Sequence, residues 1–461
     1  MAVSAGGKTC VVVGAGPAGI RAAQTLAAAG LVPVIVDEGA RAGGQIYRRP
    51  PAGFTRPAEL LYGSETAKAV ALHATFDGLL AAGSIVHHPR SSVIGIADGR
   101  LQVLDDSGCR WLGYDHLILA TGAMDRIMPV PGWENPGVYG LGAMQIALKA
   151  QGAALGRCIV LAGSGPLLTL LAMQLLKAGG EVAAVLDTAP MSQQLGGSPG
   201  LSARPIFALR GLAMRTRLAG RYHAGVRLDR IEADSRGPVA VLWRDASGRE
   251  RRLACDAIGL GWHLRAETRL ADLAGCDFAY DETWRQWLPR ADAMGRARPG
   301  VYLAGDGLRI LGADGAEITG RLAAAACLQD LGLPAPDSAA DLYRLRRLAR
   351  FARGIARAFP WPAERAPELP DETVICRCEG VTAAALRAAV DFGGGEVNRV
   401  KSLGRVGMGR CQGRYCELAA AELVAAQAGY GNAREAGRLR GQAPVRPAPI
   451  ASLLQDATDD R

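Results

Sequence analysis

The stretch CVVVGAGPAG, Cys10–Gly19, recurs 149 residues later as IVLAGSGPLL, Ile159–Leu168. That repeat restricts the chain to folds built on two strand–turn–helix units. In the first copy Cys10, Val11, Val12 and Val13 are apolar and mostly β-branched, as a buried parallel strand requires. Gly14, Gly16 and Gly19 then give G-x-G-x-x-G spacing. Gly14 allows the tight turn, Gly16 lets backbone approach a pyrophosphate, and Gly19 lets the following helix lie close on the strand. A helix over Ala18–Ala29 aims roughly half a positive charge at those phosphates, and Gly30 ends it. A second strand, Val32–Val36, leads to Asp37 and Glu38, placed to hold a ribose hydroxyl pair.

In the second copy Gly14 maps to Gly163, Gly16 to Gly165 and Gly30 to Gly179. Glu38 maps to Asp187, at the end of a strand over Glu181–Leu186, so the repeat favours Glu38 over Asp37 as the first ribose acid. Gly19 maps to Leu168, expected to hold helix and strand apart and crowd a pyrophosphate. No arginine closely follows Asp187, which argues against a 2′-phosphate. A second nucleotide, NAD or ATP, and a domain that has lost its ligand both remain open readings of this copy.

The chain has 461 residues, 49% of them hydrophobic and 5% aromatic, enough for several domains and a sizeable core. Its 53 basic residues outnumber 44 acidic ones, for a net charge of +9. The basic excess has no aromatic interleaving and no nucleic-acid module, so no nucleic-acid partner is expected. Ten cysteines in a chain that starts with this unit indicate a reducing, cytoplasmic setting. No leader is expected, because the first apolar run is already the glycine-turn strand. Cys158–Leu176 carries no charge and could span a bilayer, but Gly163–Pro166 breaks it into strand, turn and helix.

Three further segments complete a pattern. RAGGQIYR, Arg41–Arg48, follows the acid and is expected to be flexible at Gly43 and Gly44. YDHLILATG is a strand closing on Thr121 and Gly122. GVYLAGDG, Gly300–Gly307, ends in Gly305 and Asp306 ahead of a small-residue helix near Ile318–Gln329. GAGPAG, ATG, GSGP and YLAGD in this order resemble the glutathione-reductase-like flavoproteins with two dinucleotide-binding domains. The resemblance implies that Gly14, Gly16, Gly19 and Glu38 hold the adenosine half of FAD. It puts Thr121 and Gly122 at the crossover between domains, Asp306 at the ribityl–pyrophosphate region and Gln45 near the flavin ring. A helix cap is the bland alternative for Asp306.

The redox-active cysteine pairs of the disulfide reductases are missing. Cys10, Cys109, Cys158, Cys255, Cys276 and Cys327 stand singly and read as small buried thiols. The six histidines (His73, His87, His88, His116, His223 and His263) are scattered, and no acid–base or nucleophile constellation stands out. No catalytic residue is assigned.

Leu342, Leu345, Leu348, Phe351, Ile355 and Phe359 recur at helical spacing, opposite Arg346, Arg350, Arg353 and Arg357. Such a helix can lie on a membrane surface or, as a linker, pack on its own protein. The Pro-rich stretch Pro360–Pro370 then marks a boundary.

Beyond it stand Cys376 and Cys378 in VICRCEG, then Cys411 and Cys416 in GMGRCQGRYC, a C-x-C pair and a C-x4-C pair. Four thiolates between glycine-rich loops require a metal centre. C-x-C is awkward for two ligands of one tetrahedral zinc, whereas two irons divide close pairs between them. A [2Fe–2S] cluster is expected, with one helix from Thr382 to about Val390 capped by Thr382, and another after Cys416.

This tail resembles the bacterioferritin-associated-ferredoxin-like domain. With DEGARAGGQIYR, ATGAMDRIMPVPGW, AGSGPLLTLLAMQLLKAG, GDG and CRCEGVT, nearly the whole chain is similar to the A or alpha subunits of heteromeric flavin dehydrogenases. That family includes opine oxidase, D-hydroxyproline dehydrogenase and hydrogen cyanide synthase, where the B subunit corresponds. The resemblance implies an α/β fold of two Rossmann-like domains plus a small helical [2Fe–2S] domain. The expected division is 1–125 with 290–335 for FAD, 126–289 for the second Rossmann unit, 336–370 as linker, 371–430 for the cluster and 431–461 as tail. It also implies a hetero-oligomer that includes a small third subunit, in which a D-amino-acid-oxidase-like flavoprotein chain oxidises the C–N bond of an amino or imino acid. This chain then passes electrons to a quinone or similar acceptor, in the cytoplasm or peripherally at the inner face of the membrane. The rival readings are a self-sufficient NADH-dependent reductase and a non-catalytic cluster-binding assembly subunit.

Overall fold

The computed structural model describes residues 7–51, 53–54 and 56–454. Its first sheet has six strands in the order Arg296–Arg298, Val301–Leu303, His116–Leu119, Cys10–Val13, Val34–Val36 and Val86–His88. All are parallel except the first edge strand. The central strand is buried throughout, as an apolar strand covered on both faces must be. Helices Pro17–Ala28 and Gly312–Asp330 pack together at Gly320, where a Cβ would lie 2.1 Å from the Ala18 carbonyl oxygen. Only glycine allows that approach.

The second sheet is fully parallel, in the order Tyr222–Ala224, Val182–Asp187, Ile159–Ser164, Ala257–Trp262 and Val138–Gly140. The uncharged run from Cys158 therefore forms a strand and the helix Pro166–Lys177. Among the described residues, no helix is long and apolar enough to cross a membrane. Two three-stranded antiparallel sheets, Ser92–Gly113 and Arg227–Ala254, extend the two units.

The arginine-rich helix runs Ala339–Ala358 and packs on the protein itself. Gly354 meets Gly200 so closely that a Cβ on Gly354 would lie 2.7 Å from the Leu201 nitrogen. Arg347 and Arg350 donate to the carbonyls of Ala203 and Pro199. In the C-terminal region helix Ala383–Gly393 starts at the expected cap, with Thr382 Oγ1 accepting from Ala385 N at 3.2 Å. Helix Glu417–Gln427 follows Cys416. This region shares one apolar core with the second sheet: Trp133, Ile258 and Trp262 belong to the same cluster as Ile375, Leu386 and Leu423. Of the six single cysteines, Cys10, Cys255, Cys276 and Cys327 are buried, but Cys109 and Cys158 are only half-buried, being close to strand ends.

Candidate functional site

The first glycine turn is tight on every side. Gly14, at φ +105°, would place a Cβ 2.4 Å from the Ala120 oxygen, and one on Gly19 would lie 1.7 Å from the Gly14 oxygen. The helix N-terminus at Gly16–Pro17 has no side-chain cap, so its N–H groups are free for an anion. The loop expected to be flexible at Gly43 and Gly44 is instead pinned down. Gly43 N donates to the Ala15 carbonyl at 2.8 Å, and a Cβ on Gly44 would lie 2.8 Å from Gly16 Cα. Gln45 is exposed and accepts from Arg48 at 3.0 Å.

The repeat arithmetic that favoured Glu38 is corrected by the sheet register. A bulge at Ile159–Val160 gives the second unit one extra residue, so that Asp187 pairs with Gly163. In the first unit Gly14 N donates to the Val36 carbonyl, which brings Asp37 level with the turn. Asp37 accepts from Ala15 N at 2.6 Å and Gly39 N at 2.7 Å. Burial raises its pKa against the pull of those two N–H groups. Glu38 is turned away, gripped by Arg446, whose Nη2 donates to Oε2 at 2.7 Å.

Thr121 and Gly122 follow the strand His116–Leu119, and Gly305 and Asp306 form a single 3-10 turn beside them. A Cβ on Gly307 would lie 2.5 Å from Thr121 Oγ1, so the two motifs touch. Asp306 accepts from Leu311 N at 2.8 Å and Gly312 N at 3.1 Å, capping helix Gly312–Asp330 through Oδ1. This pinched, glycine-built groove suits a dinucleotide. Lys149, buried behind it, donates to the Ile46 carbonyl at 2.9 Å. Burial, then the Arg48 charge, lowers the Lys149 pKa to about 8.

The second turn is built differently. Gly165 has φ +116° where Gly16 has φ −82°. With that altered turn Leu168 is fully buried in one apolar cluster with Leu141, Leu161 and Leu171. Asp187, 1% exposed, is consumed internally. It accepts from Ser164 Oγ at 2.9 Å, Ala189 N at 2.9 Å and Tyr222 Oη at 2.6 Å. His263 donates its backbone N–H to the Ser164 carbonyl at 2.8 Å and covers Gly165. Gly163, Gly165 and Asp187 thus lie together, but the Asp187 carboxylate is already spent.

The four C-terminal cysteines come together in two pairs, Cys376 with Cys416 and Cys378 with Cys411. No group of three or more His, Cys, Asp or Glu side chains is set around one ion among the described residues. Paired thiols are the arrangement two irons can share, and a poor one for a single tetrahedral zinc. The Cys376 pKa falls to about 6: contact with the Cys416 thiol, then N–H groups of Gly407, Glu379 and Cys378, outweigh burial. Those N–H groups are the donors a cluster sulfur needs. Cys416 is pushed up by the same thiol contact and by burial.

Between the two sites lies a buried ion network that motif reading missed. Thr121 Oγ1 donates to the Glu267 carbonyl at 2.6 Å, and Glu267 N donates to the Gly122 carbonyl at 3.0 Å. The Glu267 carboxylate accepts from Arg414 Nε at 3.1 Å and Arg269 Nη1 at 3.2 Å. Arg414 Nη1 donates in turn to the Cys411 carbonyl at 3.2 Å. Arg265 donates to Glu417 at 2.7 Å and to the Arg414 carbonyl at 3.3 Å. The side chains of Arg265, Glu267, Arg269 and Arg414 are between 2% and 10% exposed. Alternating charges in LRAETRL, Leu264–Leu270, were the available signal: strands and loops rarely bury such residues unpaired.

Residues 8–326 match the pyridine nucleotide-disulphide oxidoreductase family, and residues 374–426 match the BFD-like [2Fe-2S] binding domain. The opine oxidase A subunit of Agrobacterium tumefaciens (strain Ach5) is 36% identical over 464 residues, covering 96% of this chain and 90% of its own length. The chain belongs to the family of opine oxidase A subunits. Also similar to this family member is hydrogen cyanide synthase subunit HcnB of Pseudomonas aeruginosa, 31% identical over 477 residues, with 97% of this chain and 99% of that protein covered. The structure of L-proline dehydrogenase from P. horikoshii shares the fold at a TM-score of 0.71 and 18% identity, over 97% of this chain and 79% of that one. Like its relatives, this homologue of the opine oxidase A subunit is part of a flavin-dependent oxidoreductase; its two domains imply FAD and a [2Fe–2S] cluster.

Proposed function

We propose that this chain is the electron-transferring subunit of a hetero-oligomer that oxidises the C–N bond of an amino or imino acid of the opine or hydroxyproline class. A D-amino-acid-oxidase-like flavoprotein chain holds the substrate, with a small third subunit beside it. A quinone or similar acceptor receives the electrons, at the inner face of the membrane or in the cytoplasm. The observation that carries this reading is the short connection between Thr121–Gly122 and Cys411, through Glu267 and Arg414 alone.

In this reading Gly14, Gly16 and Gly19 admit the pyrophosphate of FAD, and Asp37 rather than Glu38 holds the adenosine ribose. Thr121, Gly122, Gly305 and Asp306 line the flavin half, with Gln45 at its edge. Cys376, Cys378, Cys411 and Cys416 hold the cluster. When bound, FAD takes up an electron pair and the cluster passes single electrons, which suits transfer between unlike partners. The chain's residues tie the cysteine loop to the Thr121–Gly122 turn. The NADH-reductase reading is disfavoured by the internal use of Asp187 and the covering of Gly165.

The test is anaerobic absorbance of the chain alone and co-expressed with its partner flavoprotein. Flavin and cluster bands should bleach only when the partner and an amino or imino acid are both present. Rapid bleaching of the lone chain by NADH would overturn the proposal.

A further inference from the structure

The network between flavin face and cysteines carries more charge than docking needs. Three guanidiniums, Arg265, Arg269 and Arg414, face two carboxylates, Glu267 and Glu417. Lys401, 7% exposed, adds a fourth cation whose electrostatic neighbours are Arg269, Cys416 and Glu417. The nearest outer charges, Arg446 and Glu38, pair with each other. Buried beside Cys411 and Cys416, the net positive charge is poorly screened by water. A thiolate-ligated cluster is anionic and becomes more so on reduction, and net local charge is one of the levers that set its potential.

The same groups fix geometry. Arg269 Nε donates to the Gln412 carbonyl at 3.0 Å, so Arg269 and Arg414 both grip the Cys411–Cys416 loop while sharing Glu267. Glu267 is stapled through its backbone to the Thr121–Gly122 turn. A charge change at Glu267 or Arg269 therefore reaches the cysteine loop without passing through solvent.

We propose that the Arg265–Glu267–Arg269–Arg414–Glu417 network sets the reduction potential of the cluster, its excess buried positive charge raising that potential, with Glu267 the positioning residue that ties the cluster loop to the flavin face. The proposal rests on the cluster assignment to Cys376, Cys378, Cys411 and Cys416, and not on the identity of the electron donor.

The experiment is a mediator-based redox titration of the full chain, the cluster read by electron paramagnetic resonance. Glu267→Gln should raise the cluster potential, Arg269→Gln should lower it, and Arg269→Lys should leave it close to that of the unaltered chain. Opposite signs are the decisive readout, because mere loosening and wetting of the loop would move both glutamine variants the same way. Equal signs, or no shift in either, overturn the proposal. Should Glu267→Gln not retain its cluster, Glu417→Gln, at the wetter end of the network, must raise the potential; a fall or no change there overturns it as well. Mediators bypass the natural donor, so these outcomes are independent of whether a partner flavoprotein or NADH supplies the electrons.

Discussion

Arg414 Nε donates to Glu267 Oε2 at 3.1 Å across 147 residues of sequence. One partner stands between Cys411 and Cys416, the other is bonded through its backbone to the Thr121–Gly122 turn. Burial opposes ionisation of Glu267, but Arg269, Arg414 and Arg265 together hold its pKa down at about 2. Both groups stay charged, and the pair joins the Thr121–Gly122 turn to the cysteine loop.

Asp37 and Glu38 should separate cleanly. With Asp37 proposed as the ribose acceptor, Asp37→Asn should lose about 2 kcal/mol or roughly 30-fold in FAD affinity. Glu38→Gln, which disturbs only the exposed pair with Arg446, should change affinity by less than about threefold. Equilibrium dialysis of FAD against the apoprotein distinguishes the two.

At the second turn, Tyr222→Phe strips Asp187 of one buried hydrogen bond and should cost about 1–3 kcal/mol of stability. Neither this variant nor the unaltered chain should respond to NADH. Denaturant unfolding and stopped-flow absorbance give the two readings.

The meeting of Gly354 with Gly200 leaves no space for a methyl group. Gly354→Ala should destabilise the chain by about 1–3 kcal/mol through overpacking. Hydrogen exchange should localise the loss to helix Ala339–Ala358.

His263 is half-buried at φ +66°, its Nδ1 accepting from Leu264 N at 2.7 Å. Burial, then the nearby Arg126 charge, lowers its pKa to about 4. The unfolded chain therefore binds the proton more readily, and folding loses stability as pH falls from about 6.5 towards 4. This one residue accounts for up to about 3 kcal/mol of that slope. His263→Asn tolerates the left-handed backbone and should flatten the profile over that window. A pH series of denaturant midpoints checks it.

Much of the fold was legible because it is written in neighbouring residues. The turn at Gly14–Gly19, the strand–helix reading of Cys158–Leu176 and the Thr382 cap each depend on local backbone demands that a few adjacent residues satisfy. The pairing of Cys376 with Cys416 and Cys378 with Cys411 needed the loops to be folded, although their spacing already excluded an easy zinc site.

The misreadings share one cause. Counting along the chain put Glu38 opposite Asp187, but a single bulged residue at Ile159–Val160 shifts the register and puts Asp37 there. That Leu168 sits in a turn of different shape could not be read from spacing; it took the φ of Gly165 to show it. Glu267, Arg265 and Arg269 carry no motif, since their roles come from partners about 150 residues away. Local spacing decided the elements, the cofactor classes and the family. Tertiary packing alone decided which acid stands level with the first glycine turn, how the Asp187 carboxylate is spent, and how the cysteine loop is joined to the Thr121–Gly122 turn, because buried charges are paired by proximity in space and not by order along the chain.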